Sequence, residues 1–126
     1  MQKIVFTGSL LGATGVILGA FGAHSLKGVI TLGQLESFQT AVQYQLIHAI
    51  ALLFLHSYSV EAKNSLDKWK NVILICWGGG TVCFSGSIYL LILTEAKYLW
   101  PITPLGGTLM IIGWISLLIL SVKKNK

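Results

Sequence analysis

Charge is what this sequence has least of: 10% of its 126 residues are Asp, Glu, Lys or Arg, against about a quarter in an ordinary soluble domain. With 54% hydrophobic residues and a mean hydropathy of +0.76, that shortage excludes a water-soluble globule and points to a chain solvated by lipid. Acids are scarcest. Glu36, Glu61, Asp67 and Glu95 all fall in loops or at helix edges, so no buried carboxylate pair is available for acid/base catalysis or ion coupling. Arginine is absent, and the lysines behind the net charge of +5 lie at the ends of apolar segments rather than on one amphipathic face. That distribution excludes a nucleic-acid interface. Cysteine is limited to Cys76 and Cys83, about 10 Å apart along a helix axis and too far for a disulfide within it. Their Val, Phe and Trp neighbours offer no electropositive setting for a reactive thiol.

What the chain does have is long apolar runs, at residues 4–23, 38–58, 71–93 and 101–122, each close to the ~20 residues that cross ~30 Å of hydrocarbon. They predict an all-α integral membrane four-helix bundle, a single transmembrane domain over 1–126, with helices at about 4–23, 34–58, 66–93 and 104–122. With four spans both termini share a side, which carries Lys3, Lys63, Lys68, Lys70, Lys123, Lys124 and Lys126, whereas Lys27 and Lys97 lie on the other. By the positive-inside rule both termini are cytoplasmic. The first run also resembles a secretory signal, with Ala20-Phe21-Gly22 as a small-x-small cleavage site. Its apolar stretch exceeds a usual signal core, which favours an uncleaved helix.

Glycine is arranged rather than scattered. Gly8, Gly12, Gly15, Gly19 and Gly22 are spaced 4, 3, 4, 3 and form one stripe on a helix. Hydrophobic drive between helices is weak in lipid, so close backbone approach across small residues supplies much of their association. Cys76, Gly79, Cys83 and Gly86 repeat the spacing in the third span, and a shift of 64 residues superimposes the two stripes. Two related helical hairpins are therefore expected, with the cysteines as small seam residues. The run Trp77 to Thr81, "WGGGT", lacks the Gly-Lys-Ser/Thr ending of a phosphate loop and predicts a close helix contact or a kink.

Helix starts are also marked. Thr31 with Gln34 fits a capping box, Ser65 with Asp67 suits the start of the third helix, and Thr103 before Pro104 reads as an N-cap. Trp100 suits the membrane interface.

Four phrases, "GAFGAHSL", "FQTAVQYQLIHAIALL", "FSGSIYLL" and "ITPLGGTLMIIGW", in this order and spacing, make the chain resemble the domain of unknown function 423 family of small multi-span membrane proteins. The resemblance covers nearly the whole chain. It implies a small bundle in the cell membrane of a bacterium and transfers no catalytic role to any residue.

These phrases share one depth, toward the side opposite the termini. That half holds His24 and Ser25, Gln39, Gln43 and Gln45, Ser85, Ser87 and Tyr89, and Thr103 and Thr108. Polar side chains in hydrocarbon turn inward for partners, so His24, Gln39, Gln43, Gln45, His48, Ser85, Ser87, Tyr89 and Thr103 are candidates for a polar core or a small cavity. His48, near mid-span, is either a proton relay or ligand contact, or a neutral imidazole bonded across helices to Tyr89 or a serine; the second reading is favoured. His24, His48 and His56 lie at three depths, so no metal site is expected. No cofactor is expected either.

On a helical wheel Gln45 and His48 share a face of the second helix while Gln39 and Gln43 lie nearly opposite. One bundle cannot cover both faces, which predicts association with itself or with a membrane protein partner; the alternative is that Gln39 and Gln43 lie high enough to reach the head groups. The leading functional expectation is thus a non-enzymatic component packed in the lipid bilayer. The rival is a site for a small polar solute or lipid head group in an outer cavity containing His48, aided by helix-four N–H groups beside Gly106 and Gly107.

Overall fold

The computed structural model describes residues 2–61 and 67–123, so the expected start of the third helix at Ser65, and Lys63, Lys124 and Lys126, lie outside the described residues. Helix α1 is Gln2–His24 and α2 is Leu32–Glu61. The third span runs as one continuous rod in three pieces: α3, Asp67–Leu74, a π-helical turn, Ile75–Gly79, and α4, Gly80–Thr94. A short 3-10 turn, Lys97–Leu99, leads into α5, Ile102–Lys123. All four spans are long and apolar enough to cross a membrane.

The capping box at α2 is complete. Thr31 N–H donates to Gln34 Oε1 at 3.0 Å and Gln34 N–H to Thr31 Oγ1 at 3.1 Å, satisfying two of the N–H groups that a helix start leaves without partners. The turn before it uses Gly28 at φ 84, a backbone region that glycine enters without penalty. Leu26 then folds down onto Phe38 and Val42. Thr103, by contrast, is not a cap. Helix α5 already starts at Ile102, Thr103 N–H bonds back to Trp100 O, and its hydroxyl turns sideways to Ser87 at 2.5 Å.

Helix α1 packs along α2, α5 packs along the third span, and α2 packs on α4. The two inner spans are buried over 50% and 44% of their apolar windows, the two flanking ones over 22% and 28%, so the outer pair carries most of the lipid-facing surface.

The α1 glycines all look at α2. A Cβ at Gly8 would stand 3.1 Å from Ala49 O, one at Gly12 3.8 Å from Ala49 Cβ, one at Gly15 2.7 Å from Leu46, one at Gly19 3.2 Å from Val42 and one at Gly22 2.8 Å from Phe38. In the third span the stripe does not form a seam. A Cβ at Gly79 or Gly86 would meet no other helix within 4 Å, Cys83 is only half-buried, and Cys76 alone is buried. The π turn inserts one residue into the helix and so rotates everything beyond it by roughly 100° relative to the 3-4 spacing.

The close contact falls instead on Gly80 and Gly106, where a Cβ on Gly106 would meet Gly80 O at 2.7 Å and Phe84 Cα at 2.8 Å. Gly113 makes room for Trp77 in the same way. The two hairpins therefore close through different residues, and the 64-residue correspondence does not extend to their contacts.

Candidate functional site

Gln45 is the centre of the buried polar groups. Its Nε2 donates to Leu11 O at 2.9 Å and to Thr14 Oγ1 at 2.8 Å on α1, while its Oε1 accepts from Tyr89 Oη on α4 at 2.7 Å. One carboxamide thus ties three helices together with both donors and its acceptor engaged. The close approach at Gly15 lets the amide reach the α1 backbone, with Gln45 Nε2 3.4 Å from where a Gly15 Cβ would sit. Tyr89 is held from its other side by the ring of Phe38, at 5.0 Å between centroids.

His48 lies one turn deeper and is 2% exposed. Its Nε2 accepts from Trp114 Nε1 on α5 at 3.1 Å, which requires a lone pair there and leaves the ring proton on Nδ1, where it reaches Tyr44 O at 2.7 Å. The neutral imidazole is therefore saturated. Its partner is the indole of Trp114, not Tyr89 or a serine. Trp77 closes the group, its ring centroid 4.6 Å from that of Trp114 and 6.1 Å from that of His48.

The hydroxyls pair elsewhere. Ser85 Oγ donates to Ala41 O at 2.7 Å, joining α4 to α2, and Ser87 bonds Thr103, joining α4 to α5. The candidate residues thus share the outer half of the bundle without sharing a cavity: counted from the His48–Trp114 level, Thr103 lies about 12 Å farther out than Gln45, and the bonds join different helix pairs. His24, Gln39 and Gln43 take no part in any of them and are exposed, because the side of α2 that carries the two glutamines points away from every other span.

Thr14 and Trp114 were not among the candidates. A threonine beside the α1 stripe and an indole N–H near mid-span both need partners in hydrocarbon, and that requirement is the signal that could have found them. Among the described residues two buried side-chain nitrogens have no hydrogen-bond partner, His56 Nδ1 and Trp77 Nε1. The Trp77 indole nitrogen is pressed against Gly113 on α5.

A groove of about 330 Å³ runs between α2 and α5, lined by Tyr44, His48, Phe84, Met110, Ile111 and Trp114 among others. Its rim residues Tyr44, Ile111 and Trp114 are 43%, 60% and 45% exposed, so it opens sideways toward lipid. The polar groups of the lining are an imidazole already bonded at both nitrogens, the Trp114 indole N–H that bonds it, the Thr40 hydroxyl, which bonds Glu36 O, and the Tyr44 hydroxyl; the rest is mostly apolar. Among the described residues no three His, Cys, Asp or Glu side chains stand where they could share a metal ion.

Four apolar spans joined by glycine contacts and by single polar bonds define a small multi-pass helical membrane protein. The chain belongs to the family described as "Protein of unknown function (DUF423)", whose model matches residues 18–107. It is 39% identical over 123 residues, 98% of each chain, to the UPF0382 membrane protein SAB0533 of Staphylococcus aureus (strain bovine RF122 / ET3-1). It is 36% identical to the UPF0382 membrane protein YwdK of Bacillus subtilis (strain 168), again over 98% of each. A UPF0382 membrane protein of Haemophilus influenzae is 38% identical over 86% of this chain and 85% of its own. No solved structure matches the chain.

Proposed function

We propose that the protein is a non-enzymatic packing component of the bacterial cytoplasmic membrane, associating with itself or with a membrane partner, with both termini in the cytoplasm. The observation that carries this reading is the saturation of the polar core: Gln45, His48, Ser85 and Ser87 each bond a neighbouring helix, and His48 and Ser87 use a further bond on the Tyr44 and Phe84 carbonyls of their own helices. Groups so engaged hold a bundle together and are not available to a solute. The rival reading, a site for a small polar solute or lipid head group around His48, has less support. Its imidazole has no vacant nitrogen, and the N–H end of α5 beside Gly106 is filled by the backbone of Gly80 and Phe84.

A thermal-shift screen of the bilayer-reconstituted protein against a panel of small acidic, basic and zwitterionic solutes tests the reading. No solute is expected to raise the melting temperature. Saturable stabilisation that His48→Ala abolishes would overturn the proposal in favour of the solute site.

The orientation rests on the lysine distribution. A membrane-impermeant thiol probe is expected to reach a cysteine at Lys97 only from outside the cell. Labelling from the cytoplasmic face alone would reverse the topology.

A further inference from the structure

We infer that a second copy of this chain docks along the lipid-facing side of α2, with the two Gln43 carboxamides meeting across a two-fold axis normal to the membrane. The inference deepens the packing reading above and rests on it. Glu36, Gln39, Gln43, Ile47, Ile50 and Phe54 fall within about 80° on a helical wheel, and all are exposed. This stripe lies opposite the buried residues Phe38, Gln45 and Leu52, so no helix of the same chain covers it.

Depth separates Gln43 from its neighbours. Trp114, the partner of His48, lies about 18 Å from the start of α5 and about 14 Å from its end, so the His48–Trp114 pair sits close to mid-membrane. Gln43 is one and a half turns from His48, about 8 Å from the midplane and well inside hydrocarbon that extends about 15 Å on each side. Gln39 lies about 14 Å out and reaches the head groups, as Glu36 does.

Four exposed hydroxyls in the spans, those of Thr7, Thr40, Ser57 and Thr108, fold back onto Lys3 O, Glu36 O, Leu53 O and Pro104 O of their own helices, whereas those of Ser9 and Tyr44 do not. The Gln43 carboxamide has no partner among the described residues. A primary amide in lipid needs both a donor and an acceptor.

The same amide on a second copy provides both. Two copies inserted with the same orientation place Gln43 at the same depth, so a two-fold axis along the membrane normal brings identical groups face to face. Ile47, Ile50 and Phe54, exposed by 44%, 69% and 60%, continue the stripe as an apolar strip that packs against its own image. Interhelical glutamine bonds of this kind are a recognised source of association in membranes, and a single polar position in an apolar seam fixes register.

The test uses full-length chain in bilayers, with Cys76→Ala and Cys83→Ala to remove the native thiols. Single cysteines are placed at Ile50 on the stripe and, at neighbouring depths, at Val16 on α1 and Val82 on α4, which are 63% and 61% exposed. A membrane-permeant oxidant is expected to give disulfide-linked dimers from Ile50→Cys alone. Gln43→Leu, on an exposed face, is expected to keep the wild-type melting temperature while weakening dimerisation about tenfold, or about 1.4 kcal/mol. Absence of cross-linking at Ile50, equal cross-linking at Val16 or Val82, or unchanged dimer affinity in Gln43→Leu would each overturn the inference. None of these touches the packing reading itself, which falls on the separate solute-binding result.

Discussion

Gln45→Leu is expected to be the most damaging polar substitution in the chain, lowering unfolding stability in detergent or bilayer by about 2–4 kcal/mol. Leucine keeps the volume and helix propensity of the site but deletes three bonds at once: those to Leu11 O and Thr14 on α1 and the one received from Tyr89 on α4. The Tyr89 hydroxyl then keeps only Ser85 beside it, and the acceptor it loses in hydrocarbon contributes part of the expected loss. Single bonds between membrane helices average well under 1 kcal/mol. Tyr89→Phe, which removes only one of the three, should therefore cost clearly less. A Gln45→Leu protein as stable as the wild type would remove the carboxamide from its central place.

Gly106→Ala is the second large effect, and it comes from packing alone. The new methyl group would stand 2.7 Å from Gly80 O and 2.8 Å from Phe84 Cα. Both are backbone atoms of α4, so relief requires α4 and α5 to move apart along their crossing. A loss of about 3 kcal/mol is expected, at the upper end for overpacking by one methyl group. Gly15→Ala meets only the far end of Leu46 at 2.7 Å, a side chain that can turn aside, and should cost less. Gly86→Ala enters open space and should be neutral or stabilising by up to about 1 kcal/mol through helix propensity. Melting temperatures of the three variants in one detergent rank them directly, and equal losses at Gly106 and Gly86 would refute the assignment of the crossing.

The contrast between these glycines shows where the sequence was legible. On α1 the 4, 3, 4, 3 spacing lies on one uninterrupted helix, so periodicity alone locates the face that meets α2. In the third span the same spacing crosses the π turn at Ile75–Gly79, and no pattern of residue types announces an added residue in a helix. The close crossing of α4 on α5 therefore moved to Gly80 and Gly106, outside the expected stripe. The polar core shows a similar division. Span positions place Gln45, Tyr89, Ser85, Ser87 and Thr103 together only as far as the outer half of the bundle. Neither their spread in depth, about 12 Å from Gln45 to Thr103, nor azimuth between helices is legible in the sequence, so one expected cluster resolves into bonds between different helix pairs. On α2 itself, where a helical wheel gives azimuth directly, the division into a Gln45–His48 side and a Gln39–Gln43 side matches the buried and exposed residues. Thr103 illustrates a third cause. Its place before Pro104 suits a cap, but the hydroxyl of Ser87 lies within reach and α5 begins a residue earlier.

If the polar side chains serve the bundle rather than a ligand, their energy must appear as coupling between helices. A double-mutant cycle of Gln45→Leu and Tyr89→Phe, read as unfolding free energy in bilayers, measures that coupling for the 2.7 Å bond between α2 and α4. The predicted result is a coupling of about 0.5–1.5 kcal/mol, the range of interhelical bonds in membranes. Strictly additive losses would contradict it.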